Sequence, residues 1–533
     1  MLLRFVRIGS LALITAYLFA GLGTYGLLDN NEGLYAAVAA DMVHGGDWVV
    51  PHILGIPYPE KPPLLYWLTA ASFRVFGETE WAARFVPALA TLATGAAIGI
   101  AVGRAGNRNR GWLAPLIFCS SIGVIVLGRT LLFDVVLTAF LSIALLCWHE
   151  FHSTGNRNAL RLGYTMLALA VLAKGLVALL IAALIVGGFY VLEHHARRPI
   201  ALGVDAWGFA VLLLLTLPWH IAVSGRLPSF PSTYFLNEHL LRFLGLRLPH
   251  DYYQGGMLYY LPRALAILFP WTLVATLATF RKATIAPARI ESLERFLVIW
   301  ALAVFLLYTA SQAKANYYIV QATPPLAALL ALRLPRTLAC SNTLLRVTAT
   351  ILCAGTCTMA AAFYIHLHRV GLWPDHYAGS ENFVWIGAVL FAVIAAVAAL
   401  AVVMRRMQLM IVSLTLLAAP MLALVLRVAV QAEPLISARP LAIYLRTAGS
   451  GSTIYLFRGF SSHSALAFYL PGQLRLIDCE DAEIAPGITF AKLATPCGQT
   501  GPLSMAPQAR LLLIDERDRR LAQDTLPHQC LRP

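Results

Sequence analysis

Two short clusters of charged side chains lie close together near the start of this 533-residue chain. The first contains Asp29 and Glu32, and the second is Glu60-Lys61 followed by Pro62-Pro63. A carboxylate can accept a proton from an attacking group, and a lysine can bind an anion. The two prolines stiffen the chain and disfavour α geometry at Lys61, so they hold an acid and a base side by side. The pattern is typical of the rim of a catalytic site.

The first cluster also has a structural interpretation. Asp29 and Glu32 precede a helical pattern that runs from Glu32 to Met42. Asp, Asn and Glu are favoured at helix starts because they accept free backbone N–H groups and suit the helix dipole. A catalytic role and a helix-capping role therefore both remain open for these two acids.

The composition identifies the class of protein. Hydrophobic residues make up 59% of the chain and charged residues only 12%, whereas soluble proteins are normally about half apolar and a quarter charged. The net charge of +14 could indicate a nucleic-acid partner, but Lys and Arg fall in short clusters between apolar runs, which is the positive-inside pattern. We therefore expect a polytopic membrane protein with no nucleic-acid partner.

About twenty apolar residues are needed to cross a bilayer as a helix, which predicts roughly thirteen membrane spans. These lie near 8–28, 84–103, 111–128, 131–149, 161–173, 175–193, 205–225, 258–280, 295–311, 316–332, 346–366, 383–403 and 408–428. Lys174-Gly175 divides the fifth span from the sixth. Every second connection is basic, so we expect residues 28–83, 226–257 and the tail to face the outside. The predicted domains are a transmembrane catalytic domain over 1–428 and an exterior domain over 429–533.

The tail has a different composition from the preceding residues. Thr453 to Phe457 and Leu511 to Asp515 are apolar runs of strand length, and Pro440 to Thr447 fits a helix. A small α/β domain is therefore expected. Its three cysteines, Cys479, Cys497 and Cys530, would allow one disulfide in an oxidising compartment, but the pairing cannot be deduced.

Motifs along most of the membrane portion resemble one family, the bacterial GT-C glycosyltransferases that include the lipid A aminoarabinose transferase and relatives of protein O-mannosyltransferases. The matching motifs are Asn31-Glu32-Gly33-Leu34-Tyr35-Ala36, Gly46-Asp47-Trp48-Val49-Val50-Pro51, Glu60-Lys61-Pro62-Pro63-Leu64-Leu65-Tyr66-Trp67, Gly77, Ala82-Ala83-Arg84, Leu132-Phe133-Asp134, Pro218-Trp219, Asn237-Glu238-His239-Leu240-Leu241-Arg242-Phe243, Pro270-Trp271 and Lys314-Ala315-Asn316-Tyr317-Tyr318. The tail matches only in size and position.

The resemblance implies a polyprenyl-phosphate-sugar donor. It places the donor phosphate at Lys61 and at a tyrosine of the pair Tyr317 and Tyr318. It also implies a divalent metal ion near Glu60 and His239. A further acidic contribution would come from Asp134, and Tyr35 joins the candidates for the phosphate site.

The chain departs from the family pattern at two positions. The family has Asp-Glu-x-Arg-Tyr where this chain has Asn31-Glu32-Gly33-Leu34-Tyr35. The arginine that contacts phosphate is therefore a leucine, and Arg242, Arg263 or Lys314 could replace its charge. Asn31 cannot act as a base, which leaves Asp29, Glu32 and Asp134 as catalytic candidates. We expect Asp29 to take over.

A catalytic base is needed only for some acceptors. A hydroxyl acceptor gains about 10²- to 10⁴-fold from a positioned base, whereas a phosphate acceptor is already ionised at neutral pH.

Several of these residues also have ordinary structural interpretations. His239 could be a hydrogen-bonded interfacial histidine, Asp134 an ion-paired acid at the end of a span, and Lys314 a snorkelling anchor. Tyr317 and Tyr318 could belong to the aromatic belt. The segment 226–257 interleaves apolar and basic residues like an interfacial amphipathic helix, which could cover the site and exclude water.

The sequence therefore predicts a GT-C glycosyltransferase of the bacterial inner membrane. It would move a sugar from an undecaprenyl-phosphate carrier to a lipid or glycolipid acceptor on the periplasmic side. Transfer of 4-amino-4-deoxy-L-arabinose to lipid A is one case, and a hopanoid or a protein hydroxyl is another acceptor. Two other classes remain open: a flippase for a lipid-linked sugar and a catalytically silent homologue.

Overall fold

The computed structural model describes residues 2–106, 111–198, 201–248, 253–272, 274–275, 288–337, 350, 354, 380–448, 453–457, 459–477 and 511–514. The chain forms two compact units. The first contains Met1–Leu22, Pro87–Thr216 and Tyr253–Gln431, and the second contains Gly23–Val86, Leu217–Tyr252 and Ala432–Pro533. Most of the tail thus groups with the polar segment 28–83 and with the polar segment 226–257 as far as Tyr252. These two segments are called below the first and second polar loops.

The first unit is helical throughout its described part. Its helices are Leu2–Phe19, Leu113–Cys119, Ile122–Gly128, Phe133–Thr154, Arg157–Lys174, Val177–His195, Tyr260–Ile267, Ala288–Ala310, Thr323–Thr337, Ser380–Val403, Met407–Leu416 and Ala418–Gln431, with a 3₁₀ turn at Tyr318–Ala322. The helices Glu80–Ala105 and Ala206–Arg226 have residues in both units.

Five helical segments in the described part of the chain are long and apolar enough to cross a membrane. They are Glu80–Ala105, Phe133–Thr154, Val177–His195, Ala206–Arg226 and Met407–Gln431. Each coincides with a predicted span, so the prediction of a polytopic membrane protein is confirmed. The predicted span at 346–366 falls almost entirely outside the described residues, and the total of thirteen stays a prediction.

Two breaks between helices have local causes. The helix Arg157–Lys174 ends at Gly175, whose φ of +85° suits a residue without a side chain. This confirms the predicted division at Lys174-Gly175. The predicted span 111–128 is instead two short helices separated at Ser120-Ser121. The hydroxyl of Ser121 donates to the carbonyl of Ile117 at 2.7 Å, a bond that competes with the backbone pattern and bends helices.

The second unit contains the first polar loop and most of the second. In the first loop the helix Glu32–Gly45 confirms the predicted helical pattern, and the helix Leu64–Phe76 follows the two prolines. Between them, the strands His52–Ile53 and Ile56–Pro57 pair antiparallel around Leu54 and Gly55, which both have positive φ as a tight hairpin requires. In the second loop the π-helix Ser232–Leu241 is followed by one turn at Arg242–Leu244.

The described part of the tail contains both helices and strands. Its helices are Glu433–Ile436, Arg439–Ala448 and Leu466–Tyr469, with a 3₁₀ turn at Ser461–His463. The strand Ile454–Phe457 pairs in parallel with Leu474–Ile477 on one side and with Leu511–Ile514 on the other. The predicted strands and the predicted helix are therefore present. Cys479, Cys497 and Cys530 lie outside the described residues.

Candidate active site

Five charged side chains from the two polar loops form one connected group, called here the charged cluster: Glu60, Lys61, Glu238, Arg242 and Arg247. Lys61 Nζ lies 3.2 Å from Glu238 Oε2 and 3.5 Å from Glu60 Oε2. Arg242 Nη1 lies 2.9 Å from Glu238 Oε2. The structure thus brings together three residues that the sequence predicted for the site, Glu60, Lys61 and Arg242.

Arg247 is the fully buried cation of the cluster. No role was assigned to it from the sequence. Its Nη2 donates to Glu60 Oε1 at 2.5 Å, and its Nε donates to Glu238 Oε1. Its side chain has no exposed surface. The only sequence signal was its position among the basic residues of the second polar loop, and the pairing with Glu60 spans 187 residues.

Exposure differs between the acids and the outer cations of the cluster. The side chains of Glu60 and Glu238 are 8% and 2% exposed, whereas those of Lys61 and Arg242 are 17% and 25% exposed. Three cations against two carboxylates leave one net positive charge. The exposed face of the cluster is therefore cationic, and its carboxylates are covered.

The local structure around Glu60 and Lys61 fixes the positions of these two side chains. Lys61 lies in a bend, and the next helix starts only at Leu64, as the prolines predict. Tyr58 donates its hydroxyl to Glu60 Oε2 at 2.6 Å. Burial alone would raise the pKa of Glu238, but the charges of Lys61, Arg242 and Arg247 outweigh it and lower that pKa to about 2. Glu238 is therefore ionised at neutral pH.

His239 lies beside Glu238 on the same π-helix. Its Nδ1 is 2.7 Å from the carbonyl oxygen of Tyr234, and since a carbonyl only accepts, Nδ1 carries the proton. Burial lowers the pKa of His239, and the Lys61 charge acts in the same direction. The histidine is therefore a neutral imidazole, the form in which histidine binds metals.

The contacts of Glu60 bear on the predicted metal ion. One carboxylate oxygen accepts from Arg247, and the other accepts from Tyr58 and faces Lys61. Among the described residues, no group of three or more His, Cys, Asp or Glu side chains could hold a metal. A carboxylate neutralised by two cations does not fit a metal ligand. The metal at Glu60 and His239 stays a prediction, and no step below depends on it.

The carboxylate of Glu32 is buried and accepts hydrogen bonds on both of its oxygens. Arg84 Nε donates to its Oε1 at 2.8 Å and Arg84 Nη2 to its Oε2 at 2.6 Å, and neither side chain has exposed surface. The backbone N–H of Leu28 also donates to it. A carboxylate held this way on both oxygens is poorly placed to take a proton from a substrate. The geometry therefore favours a structural role over the predicted catalytic role, and this role is a buried ion pair rather than the helix cap that the sequence left open.

Tyr35 is also held inside the second unit. Its ring is buried, and its hydroxyl donates to Asn31 Oδ1 at 3.1 Å. The amide that replaces the family's acid thus serves as an acceptor for this tyrosine. The predicted contact of Tyr35 with a donor phosphate stays a prediction.

Asp29 contacts the tail. Its Oδ1 accepts from the backbone N–H of Ala465 at 2.8 Å, and the next residue, Asn30, donates its N–H to Ser464 Oγ at 2.8 Å. Burial raises the pKa of Asp29 to about 6, while the N–H of Ala465 and the charge of His463 act in the opposite direction. A carboxyl group with this pKa is suited to proton transfer near neutral pH. Its predicted role as a base stays a prediction.

Asp134 belongs to a second charged group, which lies in the first unit. Lys174 Nζ donates to its Oδ1 at 2.5 Å, and Gln321 Nε2 donates to the same oxygen at 3.1 Å. Lys174 Nζ also lies 4.2 Å from the centre of the Tyr318 ring. The structure therefore places Asp134 and Tyr318 around one lysine. The sequence used Lys174 only for topology, since nothing local indicates a partner 40 residues away.

Lys314 and Arg263 make backbone contacts in the first unit. Lys314 is 4% exposed, and its Nζ donates to the carbonyls of Tyr308 and Thr309, each at 2.8 Å. It thus caps the end of the helix Ala288–Ala310. Arg263 donates to Asn316 Oδ1 and to the carbonyl of Tyr259. These contacts favour structural roles for both over the predicted replacement of the missing arginine. Tyr317 stacks edge-on against Tyr318, next to Lys174.

Residues 60–221 match the family described as dolichyl-phosphate-mannose-protein mannosyltransferase. Two curated relatives are undecaprenyl phosphate-alpha-4-amino-4-deoxy-L-arabinose arabinosyl transferases. The one from Aeromonas salmonicida is 31% identical over 306 residues, which cover 56% of this chain and 55% of the relative. The one from Pseudomonas aeruginosa is 32% identical over 330 residues, which cover 60% and 58%. The matched region is thus little more than half the length of these relatives.

Comparison with solved structures identifies the fold of this chain. ArnT from Cupriavidus metallidurans bound to undecaprenyl phosphate superposes with a TM-score of 0.77 at 23% identity, covering 98% of this chain and 95% of that one. This chain has the ArnT fold. ArnT in the apo state gives a TM-score of 0.72 at 24% identity, covering 92% and 88%. The predicted resemblance to GT-C glycosyltransferases and the polytopic GT-C fold are confirmed.

Proposed function

We propose that this protein is an integral-membrane glycosyltransferase that moves a sugar from an undecaprenyl-phosphate carrier to lipid A. The sugar is 4-amino-4-deoxy-L-arabinose, as the names of the similar arabinosyl transferases indicate. The observation that carries the proposal is the charged cluster, in which Lys61 and Arg242 form a partly exposed cationic face over buried carboxylates. Such a face fits the phosphate of the carrier.

Breaking the bond between sugar and phosphate leaves an additional negative charge on the phosphate oxygens. Fixed cations that already point at those oxygens stabilise this charge without reorganising during the reaction. Glu238 holds both Lys61 and Arg242 in place, at 3.2 Å and 2.9 Å. Arg242 also offers a planar guanidinium, which can bind phosphate through two hydrogen bonds and so supply what the aliphatic side chain of Leu34 cannot.

The acceptor determines whether a base is required. An ionised phosphate on the acceptor attacks directly, and the charged cluster then suffices for catalysis. A hydroxyl acceptor needs a carboxylate, for which Asp29 and Asp134 remain the candidates. In either case the resemblance implies a single displacement with inversion at the anomeric carbon.

The same proposal includes the orientation of the chain. The protein lies in the bacterial inner membrane, with both polar loops and the tail on the periplasmic face. The alternation of basic connections along the sequence supports this arrangement. The exposed apolar side chains of the second polar loop, such as Leu240 at 52% and Leu244 at 50%, fit contact with the membrane surface.

The position of the buried ion pair between Asp134 and Lys174 argues against the alternative function of a flippase. Transporters hold charged side chains at mid-membrane, next to broken helices. Asp134 instead lies in the first turn of Phe133–Thr154, and Lys174 is the last residue of Arg157–Lys174. Both charges are thus at helix ends.

A transfer assay tests the proposed function. Purified protein is incubated with labelled undecaprenyl-phosphate aminoarabinose and lipid A, and labelled lipid A is measured by mass spectrometry. We expect transfer by the wild type, loss of transfer in Lys61→Gln, and retention in the matched control Arg226→Gln. Arg226 is a cation of the second polar loop whose ion pair, among the described residues, is with the partly exposed Asp47. Absence of transfer by correctly folded wild type, or equal transfer by Lys61→Gln, would overturn the proposal.

A further inference from the structure

A cavity of about 390 Å³ lies within the first unit, and no member of the charged cluster lines it. It is lined by the helices Glu80–Ala105, Phe133–Thr154, Arg157–Lys174 and Ala288–Ala310. This volume is within the range of sites for small ligands, which is about 300–1,000 Å³. Neither the proposed transfer reaction nor the comparisons assign it a role.

The lining of the cavity is amphipathic. One part is aliphatic and includes Ile100, Ile143, Leu146 and Leu162. A molecule that contacts this part gives up contact with water, so an apolar chain is favoured there. A soluble, fully polar ligand would leave these side chains without a suitable partner.

The other part of the lining is polar and carries a net positive charge. Among the described residues of the lining, Arg104 and Arg289 oppose one carboxylate, Glu150. Arg104 Nη1 is 3.6 Å from Glu150 Oε1, and its side chain remains 61% exposed, so this ion pair is loose and its guanidinium can turn to a ligand. Ser153 also lines the cavity, and in the described part of the chain its buried Oγ has no hydrogen-bond partner. Buried hydroxyls normally have one.

We infer that this cavity binds an anionic phospholipid, with the headgroup phosphate at Arg104 and Arg289 and the start of an acyl chain against the aliphatic part. Basic pockets between membrane helices are a known mode of binding anionic lipid headgroups. The site is independent of the proposed transfer reaction, because no member of the charged cluster lines it.

Native mass spectrometry of the full chain in detergent tests the inference, with phosphatidylglycerol as the ligand and phosphatidylcholine as the neutral comparison. We expect one tightly retained phosphatidylglycerol per protein and at least fivefold weaker retention of phosphatidylcholine. Arg104→Gln removes a lining cation, and Ala101→Trp fills the cavity, so each should weaken phosphatidylglycerol retention at least fivefold.

Arg198→Gln is the matched control, since Arg198 also forms a loose ion pair, 3.7 Å from Glu193, with a side chain 42% exposed. It should retain the lipid like the wild type. Equal retention by wild type, Arg104→Gln and Ala101→Trp would overturn the inference. Displacement of the lipid by an equal concentration of inorganic phosphate would also overturn it, since the site would then bind a soluble anion.

Discussion

Lys61 and Glu238 form a salt bridge of 3.2 Å although 177 residues separate them in the sequence. The carboxylate is nearly fully buried, whereas the ammonium keeps 17% of its side-chain surface exposed. The second polar loop therefore fixes the position of a cation that belongs to the first. This arrangement presents Lys61 to a ligand without leaving Glu238 unpaired.

The buried guanidinium of Arg247 should be required for stability. In Arg247→Met, Glu60 and Glu238 each lose a buried partner but keep the contact with Lys61. We therefore expect a cost of about 3 kcal/mol, at the lower end of the roughly 3–5 kcal/mol for breaking a buried ion pair. We expect a large fall in the thermal midpoint in detergent. The control Arg226→Met removes only an exposed pair, which should cost about 1 kcal/mol or less. Similar midpoints for both variants would contradict the assignment.

A variant of Glu32 distinguishes a structural role of this carboxylate, in its pair with Arg84, from a catalytic role. In Glu32→Gln one charge of a fully buried pair is removed, so we expect a destabilisation of roughly 3 kcal/mol or more. At low temperature, transfer per folded molecule should stay within about threefold of the wild type, because removal of a catalytic base would cost at least about 10²-fold. A loss of transfer with an unchanged thermal midpoint would restore the catalytic role.

Asp134 and Lys174 should show strong coupling in the first unit. Lys174→Met leaves Asp134 buried without its cation, and we expect a loss of roughly 3–5 kcal/mol. The double variant Asp134→Asn with Lys174→Met removes both charges and should recover part of that loss. The coupling is obtained from the thermal midpoints of the two single variants and the double variant. If the loss of stability in the double variant equalled the sum of the losses in the two single variants, the two side chains would not interact.

The raised pKa of Asp29 predicts how stability depends on pH. The folded pKa is about 6, compared with an ordinary value of 3.8. The folded state therefore prefers the protonated carboxyl, and stability is lost as the pH rises from about 4 to about 6. Asn cannot ionise and can still accept the N–H of Ala465. Relative to the wild type, Asp29→Asn should melt at a higher temperature at pH 8 and at the same temperature at pH 4.

The same titration predicts an activity profile if Asp29 is the base. Only the ionised carboxylate can take a proton, so transfer to a hydroxyl acceptor should fall as the pH decreases through about 6. Asp29→Asn should abolish that transfer without lowering the melting temperature. Unchanged transfer in this variant would contradict the role of Asp29 as a base and would support a structural role through its contact with the tail.

The parts of the structure that could be predicted depend on local pattern. The helix Glu32–Gly45 follows from its alanine-rich run after an acidic first turn, the break at Gly175 from glycine, and the bend at Lys61 from Pro62 and Pro63. Each of these is decided within a few residues. The apolar length of the spans is equally local, which is why five predicted spans coincide with suitable helices.

The pairings within the sites could not be predicted in this way. Glu32 meets Arg84 across 52 residues, Asp134 meets Lys174 across 40 and Glu60 meets Arg247 across 187. No periodicity joins such distant positions, because tertiary packing alone brings them together. For the same reason the sequence did not show that Lys314 caps a helix end.

Binding of undecaprenyl phosphate to the purified protein tests the central claim most directly. Dissociation constants are measured in detergent for the wild type, Lys61→Gln and Arg226→Gln. A charge-assisted hydrogen bond contributes about 1.5–3 kcal/mol, so Lys61→Gln should bind about 10- to 150-fold more weakly, whereas Arg226→Gln should bind like the wild type. If Lys61→Gln binds the lipid phosphate as tightly as the wild type does, Lys61 and the charged cluster around it do not form the donor site.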